Sequence, residues 1–421
     1  MAGRQAWVLA HRWAGLTIAL FLAVTGLTGS VMPWIEEIEA ATVPQLHTVS
    51  PPSPSAPRVD PQDLRAQVLA RHPQARIDFL PLTGEPGRSV RLYATWIDPA
   101  TGLERADRPD WDDLFLDPYT GEELGHRRWG DIGQGVKNLM PFVYRLHDSL
   151  ALGEWGMLAL GLAALVWTVD CVTGLVLTWP VRKQPCRRGD PGWLARWRPS
   201  WTIRRRTTPY KLTFDLHRAG GLWVWPLLLV FAWSSVSFNL PQAYRPIMAL
   251  FGGHDVEAHV MEQVLPAPRL APTLDFKAAE AAGKTLAQRE LARRGLQARP
   301  DGERWLWYVP ASGLYVYGLT SSADIGTHGG GTRIAFDGNS GALRAVDLPS
   351  GGNGANTFTN WIRGLHTAHV FGLWWRIAVT ALGLCVTTLS VTGVLIWMRK
   401  RSARAGRSLK RARQRDSLWA A

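Results

Sequence analysis

The sequence predicts a membrane protein whose four transmembrane helices form a bundle that arose by internal duplication and carries two α+β domains on one side of the bilayer. Three observations predict this class. The chain of 421 residues is 46% hydrophobic with 22 tryptophans, and its apolar runs alternate with long polar segments. Basic clusters beside the apolar runs contribute to its net charge of +13. The same short motifs occur twice, about 220 residues apart.

Four stretches are apolar over the roughly 20 residues that a helix needs to cross a bilayer. The first ends in SVMPWIEE without a small-residue cleavage site, so we interpret it as an uncleaved anchor and not as a signal peptide. The predicted order is a cytoplasmic N-terminus with helix 1 (1–34), an outer domain (35–145), helix 2 (146–180), a basic cytoplasmic loop (181–210), helix 3 (211–240), a second outer domain (241–363), helix 4 (364–398) and a basic cytoplasmic tail (399–421).

Lysine and arginine are concentrated beside the predicted helices. Ten of them lie between positions 181 and 211 with a single acidic residue, Asp190, and another cluster runs from Arg399 to Arg415. Because loops rich in Lys and Arg stay in the cytoplasm, we expect a multi-pass protein with both termini cytoplasmic. Basic clusters beside membrane helices are typical of attraction to anionic lipid, so we expect membrane lipid and no nucleic acid as their partner.

The two outer segments each combine a helix pattern with strand patterns. The first begins with the linker-like VSPPSPSAPRVDP and continues with an amphipathic helix, PQDLRAQVLARHP. Alternating stretches follow in SVRLYATWID and DDLFLDPYTGEEL. The second segment has a helix at DFKAAEAAGKTLAQRELARRG and strands at RWLWYVP, GLYVYGL and TRIAFDGNSGAL. Both segments are therefore predicted to be α+β domains.

Internal duplication is predicted by motifs that recur at nearly constant offsets. The related pairs are the Asp-x-x-Ser/Thr-Gly turns at 117–121 and 337–341, the VTG tripeptides at 172–174 and 391–393, the histidines 147 and 366 that each precede the VTG threonine by 26 residues, and the histidines 11 and 217. A duplicated membrane protein commonly places a function between its halves, so we expect paired sites.

Four histidines fall at the repeat-related positions. His11 and His217 are predicted to begin the two outward-running helices, and His147 and His366 the two inward-running helices, which gives one pair toward each face. Two facing imidazoles are what haem iron needs when the porphyrin occupies its other four positions. No Cys-x-x-Cys-His motif occurs, so we expect two haem b groups. His369 lies three residues after His366 and is either an alternative ligand or a residue that contacts one.

A divalent metal is the rival ligand, but it commonly recruits carboxylates or thiolates, and the acidic residues nearest in sequence are only Asp148 and Asp215. Four arginines lie within three residues of the histidines and suit haem propionates, although each is equally typical of an interface anchor; they are Arg12, Arg218, Arg145 and Arg363.

Asp170 lies deep in the second predicted helix, and its repeat-related position is Leu389. An acid at that depth is suited to orient a ligand imidazole or to relay a proton. The equal alternative is a buried acid satisfied by Ser or Thr hydroxyls. Its role is left open by the sequence.

The stretches LHRAGGLW, YRLHDSLALGEWG, VTGLVLTWP and RGLHTAHVFGLWWRIAV, with the DPYTGEEL turn, resemble the PepSY-associated transmembrane family. These iron-regulated membrane proteins include ferric-siderophore reductases of the bacterial inner membrane. The resemblance spans essentially the whole chain. It implies four transmembrane helices, two periplasmic PepSY-like domains, two b haems on His11, His147, His217 and His366, and reduction of a periplasmic ferric siderophore to release Fe(II) for uptake. Asp170 departs from the family pattern.

The electron donor is not encoded in the chain. No flavin or dinucleotide fingerprint occurs, so electrons are expected from a separate cytoplasmic reductase or from a quinol. The alternative function is a non-catalytic PepSY membrane protein that binds a peptide or peptidase or assists siderophore transport. A quinol-linked cytochrome with another periplasmic acceptor lies between the two. Haem content separates the redox functions from the non-catalytic one.

Overall fold

The computed structural model describes residues 2–53, 55–98, 100–105, 107–181, 191–252, 264–326 and 329–419. Residues 182–190 of the predicted basic loop lie outside this part. The chain divides into two compact units. The helical unit comprises Met1–Pro33, Arg145–Ala243 and Arg376–Ala421, and the sheet unit comprises Trp34–Tyr144 and Tyr244–Trp375.

The secondary structure alternates between these units. The helices are α1 (Ala2–Val31), α2 (Ile35–Thr42), α3 (Pro44–His47), α4 (Pro61–Arg71), α5 (Leu139–Ser149), α6 (Glu154–Thr178), α7 (Trp193–Trp197), α8 (Pro209–Trp223), α9 (Trp225–Asn239), α10 (Pro241–Ala249), α11 (Phe276–Arg293), α12 (Gly354–His366) and α13 (Gly372–Trp419). The strands are β1 (Phe79–Pro81), β2 (Val90–Tyr93), β3 (Asp113–Leu116), β4 (Glu123–Arg127), β5 (Ala298–Val309), β6 (Leu314–Ser321), β7 (Thr332–Asp337) and β8 (Leu343–Asp347).

Three helices of the described chain, α1, α6 and α13, are long and apolar enough to cross a membrane, and the protein is a membrane protein. Three charged side chains in these helices are accommodated by their position, by a hydrogen bond or by burial. Glu154 is the first residue of α6, where a negative charge is favourable to the helix dipole. Arg376 of α13 donates from Nε to the Pro33 carbonyl oxygen at 2.7 Å. Asp170 is buried inside the unit.

The third predicted membrane helix differs from expectation because it is broken. Instead of one helix over 211–240, α8 and α9 meet at Val224 with a bend of 72° and count as a fourth span only when taken together. Pro226 is the physical reason, since it has no N–H to donate to the carbonyl four residues earlier and its ring crowds that turn. The break leaves His217 on the more polar helix α8.

Small residues let the membrane helices approach closely. Helix α6 packs against α1 and α9. Where α1 meets α13, a Cβ built on Gly26 would lie 2.8 Å from the Gly383 carbonyl oxygen, and one built on Gly383 would lie 2.6 Å from that of Gly26. Such contacts are closer than a side chain allows, as expected where van der Waals packing holds helices together in lipid.

His147 and His366 do not begin membrane helices, contrary to the prediction. His147 lies in the last turn of α5, and His366 is the last residue of α12. A left-handed turn separates each helix from the membrane helix that follows. Gly153, the residue before α6, and Gly372, the first residue of α13, are 219 residues apart and have φ values of 62° and 63°. Positive φ angles are incompatible with a continuous helix and favour glycine, so α5 and α12 are separate from α6 and α13.

The sheet unit has a five-stranded antiparallel sheet with the order β1-β5-β6-β7-β8 and a three-stranded sheet with the order β2-β3-β4. Strand β1 comes from the first polar segment and β5 from the second, and Leu80 pairs with Leu306 between them. The two segments therefore form one compact unit, where the sequence suggested two separate domains. Their side chains share one core, in which Leu92 and Leu114 join Tyr315 and Phe336.

The two repeated turns have the same construction. Asp117 Oδ1 accepts from Tyr119 N–H at 2.7 Å, and Asp337 Oδ1 accepts from Asn339 N–H at 3.0 Å. Gly121 and Gly341 end them at φ values of 76° and 69°. The predicted turn chemistry is confirmed. Main-chain donors, with Ser340 first, hold the pKa of Asp337 at about 2.

Acid is expected to destabilise the sheet unit through His47. Burial, with the nearby Arg127 charge, lowers the pKa of His47 from 6.5 to about 4. The unfolded chain binds this proton below about pH 6.5 and the folded chain does not, so between pH 7 and pH 5 the folded state loses about 2 kcal/mol. Thermal unfolding of the full-length protein at both pH values should show this difference, and His47→Gln should remove it. Equal pH dependence in the wild type and the variant would contradict the assignment.

Candidate functional site: a histidine pair

The helical unit brings His11 of α1 and His217 of α8 together. Their ring centres are 6.2 Å apart and their planes lie at 56°. A metal-bound imidazole nitrogen lies about 2 Å from its metal and the ring centre about 1 Å farther, so two axial imidazoles place their centres about 6 Å apart. The angle between the rings is compatible with this arrangement because each ring can rotate about its metal–nitrogen bond. The pair therefore has the separation that a shared six-coordinate iron requires.

Hydrogen bonding defines the tautomer of His11. Its Nδ1 lies 2.9 Å from Asp170 Oδ1, and Thr173 Oγ1 donates to the same carboxylate oxygen at 2.8 Å. An ionised carboxylate only accepts, so Nδ1 carries the proton and donates it to Asp170. The lone pair of His11 is then on Nε2, the nitrogen that is left for a ligand.

His217 reaches the same tautomer with different partners. Its Nδ1 lies 3.0 Å from the Leu389 carbonyl oxygen and 3.1 Å from Thr392 Oγ1. The Thr392 hydroxyl donates to the Thr388 carbonyl oxygen at 2.7 Å, so toward the imidazole it accepts. His217 Nε2 is therefore also unprotonated, and both rings present a lone pair.

Glycines allow the neighbouring helices to approach these rings. A Cβ built on Gly174 would lie 3.3 Å from His11 Cε1, and one built on Gly393 would lie 3.2 Å from His217 Cε1. Each glycine follows the threonine that hydrogen-bonds near the same ring. A Thr-Gly dipeptide on a facing helix thus holds each imidazole by a hydrogen bond and by close packing.

A cavity of about 710 Å³ adjoins the pair, within the size range of cofactor sites. Helices α1 and α13 run antiparallel, since Pro33 meets Arg376 and Gly26 meets Gly383, so the basic ends of both helices lie toward the same end of the cavity. The apolar lining includes Ile18, Leu22, Trp167, Trp225, Leu228, Val386 and Trp397. The basic lining consists of Arg4, Arg12, Arg218, Lys400 and Arg401.

Two of the predicted arginines line this cavity. The Nε atoms of Arg12 and Arg218 are buried and have no hydrogen-bond partner among the described residues. Arg218 also donates from Nη2 to Asp215 Oδ1 at 3.1 Å, which fixes its position. Buried guanidinium donors at the basic end of an apolar cavity fit the carboxylates of an amphiphilic macrocycle. The two histidines and these arginines together fit the polarity of haem.

His147 is held in the same way as His11 and His217, which form the inner pair. Its Nδ1 lies 3.1 Å from Thr28 Oγ1, which itself donates to the Val24 carbonyl oxygen at 2.7 Å. A Cβ built on Gly29 would lie 2.7 Å from His147 Cε1. Thr28 therefore accepts from Nδ1, and Nε2 of His147 is again the unprotonated nitrogen.

The other predicted outer residues lie close to the turns before the membrane helices. Arg145 is in α5, and Arg363 and His366 are in the last turn of α12. His369 follows in the turn before α13, where its N–H donates to the Gly364 carbonyl oxygen at 3.0 Å. His366 and His369 belong to the sheet unit and His147 to the helical unit, so the outer pairing stays a prediction.

In the described part of the chain, His, Cys, Asp and Glu side chains form no group of three or more that could hold a metal ion.

The three threonines and their glycines were missed by the site prediction. Their sequence feature is the Thr-Gly dipeptide at 28–29, 173–174 and 392–393, which also occurs at 25–26, 83–84, 101–102 and 120–121. Two of these were recognised as a repeat, but a repeat alone does not indicate which side chain faces a histidine.

A family model described as PepSY-associated TM region matches residues 8–400. The matched range includes His11, His147, His217 and His366 and covers nearly the whole chain. No match is found among curated proteins.

Proposed function

Because the chain belongs to the family of proteins with a PepSY-associated transmembrane region, we propose that it is a di-haem b protein of the bacterial inner membrane. Electrons pass from a cytoplasmic or quinol donor to a ferric siderophore in the periplasm, and the protein acts as a ferric-siderophore reductase. The observation that carries the proposal is the 6.2 Å separation of His11 and His217 beside an apolar cavity with a basic end.

In this proposal the chain is a duplicated four-helix bundle. His11 faces Thr173 and Gly174 in one half, and His217 faces Thr392 and Gly393 in the other. This correspondence supports duplication, because both halves use the same dipeptide to hold the same side chain. The broken pair α8 and α9 then counts as the third span.

The protein side chains hold and orient the two groups. His11 and His217 supply Nε2 at the inner site, and Arg12 and Arg218 meet the propionates. His147 supplies one ligand of the outer site, with His366 as the second and His369 as its alternative. Haem when bound supplies a reversible one-electron carrier at each depth. The apolar residues that line the inner site reduce the screening of neighbouring charges.

Reduction is the step that frees the iron. A ferric siderophore takes up one electron to become an Fe(II) complex, and its hard oxygen donors hold Fe(II) far less well than Fe(III). The protein therefore needs to deliver one electron to a complex docked outside the membrane. Two ligand pairs at two depths support such a path, because each carrier spans part of the bilayer.

The test begins with the full-length protein in detergent. Visible spectra before and after dithionite, with a pyridine haemochrome count, should show two b haems per chain. The reduced protein should then be reoxidised anaerobically by a hydroxamate or catecholate ferric siderophore, with one Fe(II) trapped by a chelator for each electron lost. A colourless protein that does not take up added haem would overturn the proposal in favour of a non-catalytic peptide-binding role. Haem without reoxidation by siderophores would indicate another periplasmic acceptor.

Gly29→Val should disrupt the outer site. The added side chain would occupy the space of the His147 ring, since even a Cβ would lie 2.7 Å from Cε1. We expect about 1–3 kcal/mol of strain and a haem content that falls from two toward one per chain. Gly3→Val on the same helix is the control, because a Cβ on Gly3 has no heavy atom within 4 Å. Full haem content in Gly29→Val would show that this close contact does not matter for the site.

A further inference from the structure

The two histidines of the inner site differ in what holds Nδ1. Asp170 presents a carboxylate to His11, whereas the repeat-related residue Leu389 presents its main-chain carbonyl oxygen to His217. The partners occupy the same place in the two halves, but one is an anion and the other is neutral. Leucine at position 170 would still leave a carbonyl oxygen for His11, so the geometry alone does not require an acid there.

An acid at position 170, inside a membrane helix, is energetically unfavourable. Its side chain is 10% exposed in the middle of α6, and among the described residues its one ion-pair partner is His11. Thr173 Oγ1 donates to the same oxygen and fixes its direction. A carboxylate inside a membrane helix, with no Lys or Arg partner in the described chain, is expected to have a function.

We propose that Asp170 is a positioning residue that lowers the midpoint potential of the inner haem; this inference rests on the proposed function. Its carboxylate keeps the proton of His11 on Nδ1, leaves Nε2 as the nitrogen that would bind iron and would increase the electron donation of the ring. A negative charge close to an axial ligand favours Fe(III), which carries one positive charge more than Fe(II). The apolar residues that line part of the cavity reduce the screening of this charge.

A low potential at the inner site gives the electron path a direction. His147 is held through the neutral hydroxyl of Thr28 at 3.1 Å, so no corresponding effect is expected from that contact. A haem held by His11 would therefore have a lower midpoint potential than a haem held by His147, and this difference would favour electron transfer toward the outer side. An acid in only one half of the duplicated chain would thus give two similar haem sites different midpoint potentials.

Redox titration of Asp170→Asn tests this role. Asparagine keeps the size and the accepting oxygen but removes the charge. We expect the Fe(III)/Fe(II) equilibrium of one haem to move at least tenfold toward Fe(II), which is a rise of about 59 mV for one electron, with the other haem unchanged. In a His147→Ala background the titration step of the outer haem, whose potential is unchanged, should disappear. The shifted step of the inner haem should remain. Glu154→Gln also replaces an acid by its amide, at the start of the same helix. This control should leave the midpoint potential of the inner haem at its wild-type value.

Each outcome decides between the two proposals. Two haems with unchanged potentials in Asp170→Asn would overturn this inference and leave the proposed function intact. A wild-type protein without haem would overturn both. If Asp170→Asn loses the inner haem, Asp170→Glu decides: haem at the wild-type potential supports the role of the charge, and loss of haem in both variants shows that the position serves packing alone.

Discussion

Replacement of His217 by alanine is expected to lower the haem content from two per chain to one and to abolish electron transfer to a ferric siderophore. His217 lies 6.2 Å from His11 between ring centres and offers an unprotonated Nε2 to the same space. Removal of one axial ligand leaves a site with a single strong protein donor, which holds haem poorly. The measurement is a pyridine haemochrome count on purified protein, with siderophore-dependent reoxidation as the second readout.

The strongest form of this experiment compares single and double variants. If His11 and His217 ligate one iron, His11→Ala, His217→Ala and the double variant should all retain the same one haem. Loss of both haems in the double variant would show that the two histidines serve different sites. His126→Ala is a suitable control, because His126 lies on β4 of the sheet unit. This variant should keep both haems.

Replacement of Arg127 by alanine is expected to destabilise the sheet unit by about 3–5 kcal/mol. Arg127 is fully buried and donates from Nε to Asp113 Oδ2 at 3.0 Å and from Nη1 to Glu39 Oε1 at 2.6 Å. Its loss leaves the Asp113 carboxylate, which is also fully buried, without this partner. For a unit of this size the unfolding temperature should fall by about 6–20 °C, as measured by near-UV circular dichroism.

The neighbouring residue provides the matched control. Arg128 pairs with Asp110 at 3.4 Å, but their side chains are 44% and 70% exposed. Exposed pairs contribute at most about 1 kcal/mol, so Arg128→Ala should change the unfolding temperature by only a few degrees. Similar losses in the two variants would mean that burial of the Arg127 cluster does not determine stability.

The sequence predicted the local features of this member of the PepSY-associated transmembrane family well. The apolar runs predicted α1, α6 and α13, because length and composition suffice to identify a membrane helix. The Asp-x-x-Ser/Thr-Gly turns were also predictable, since their hydrogen bonds join residues two or three positions apart. The approximate helical location of His11 and His217 followed from the same runs.

Contacts between residues far apart in the sequence, and breaks within apolar runs, were harder to predict from the sequence. The pairing of β1 with β5 joins residues more than 200 positions apart, and no periodicity in either strand indicates its partner. The bend at Val224 was missed because the apolar run continues through Pro226 without interruption. His147 and His366 were assigned to membrane helices for a related reason, because positive φ angles end α5 and α12 where the composition remains apolar.

By itself the sequence determined which residue types are available and at what spacing: the apolar helices, the repeat-related histidines, and an acid at position 170 where the related position has leucine. Only the tertiary structure decided which nitrogen of each histidine is protonated and what lies against it. Asp170, Thr173, Leu389 and Thr392 meet the two rings from other helices. Hydrogen bonds between distant residues depend on how helices pack, and packing follows from the whole surface of each helix and not from its local pattern.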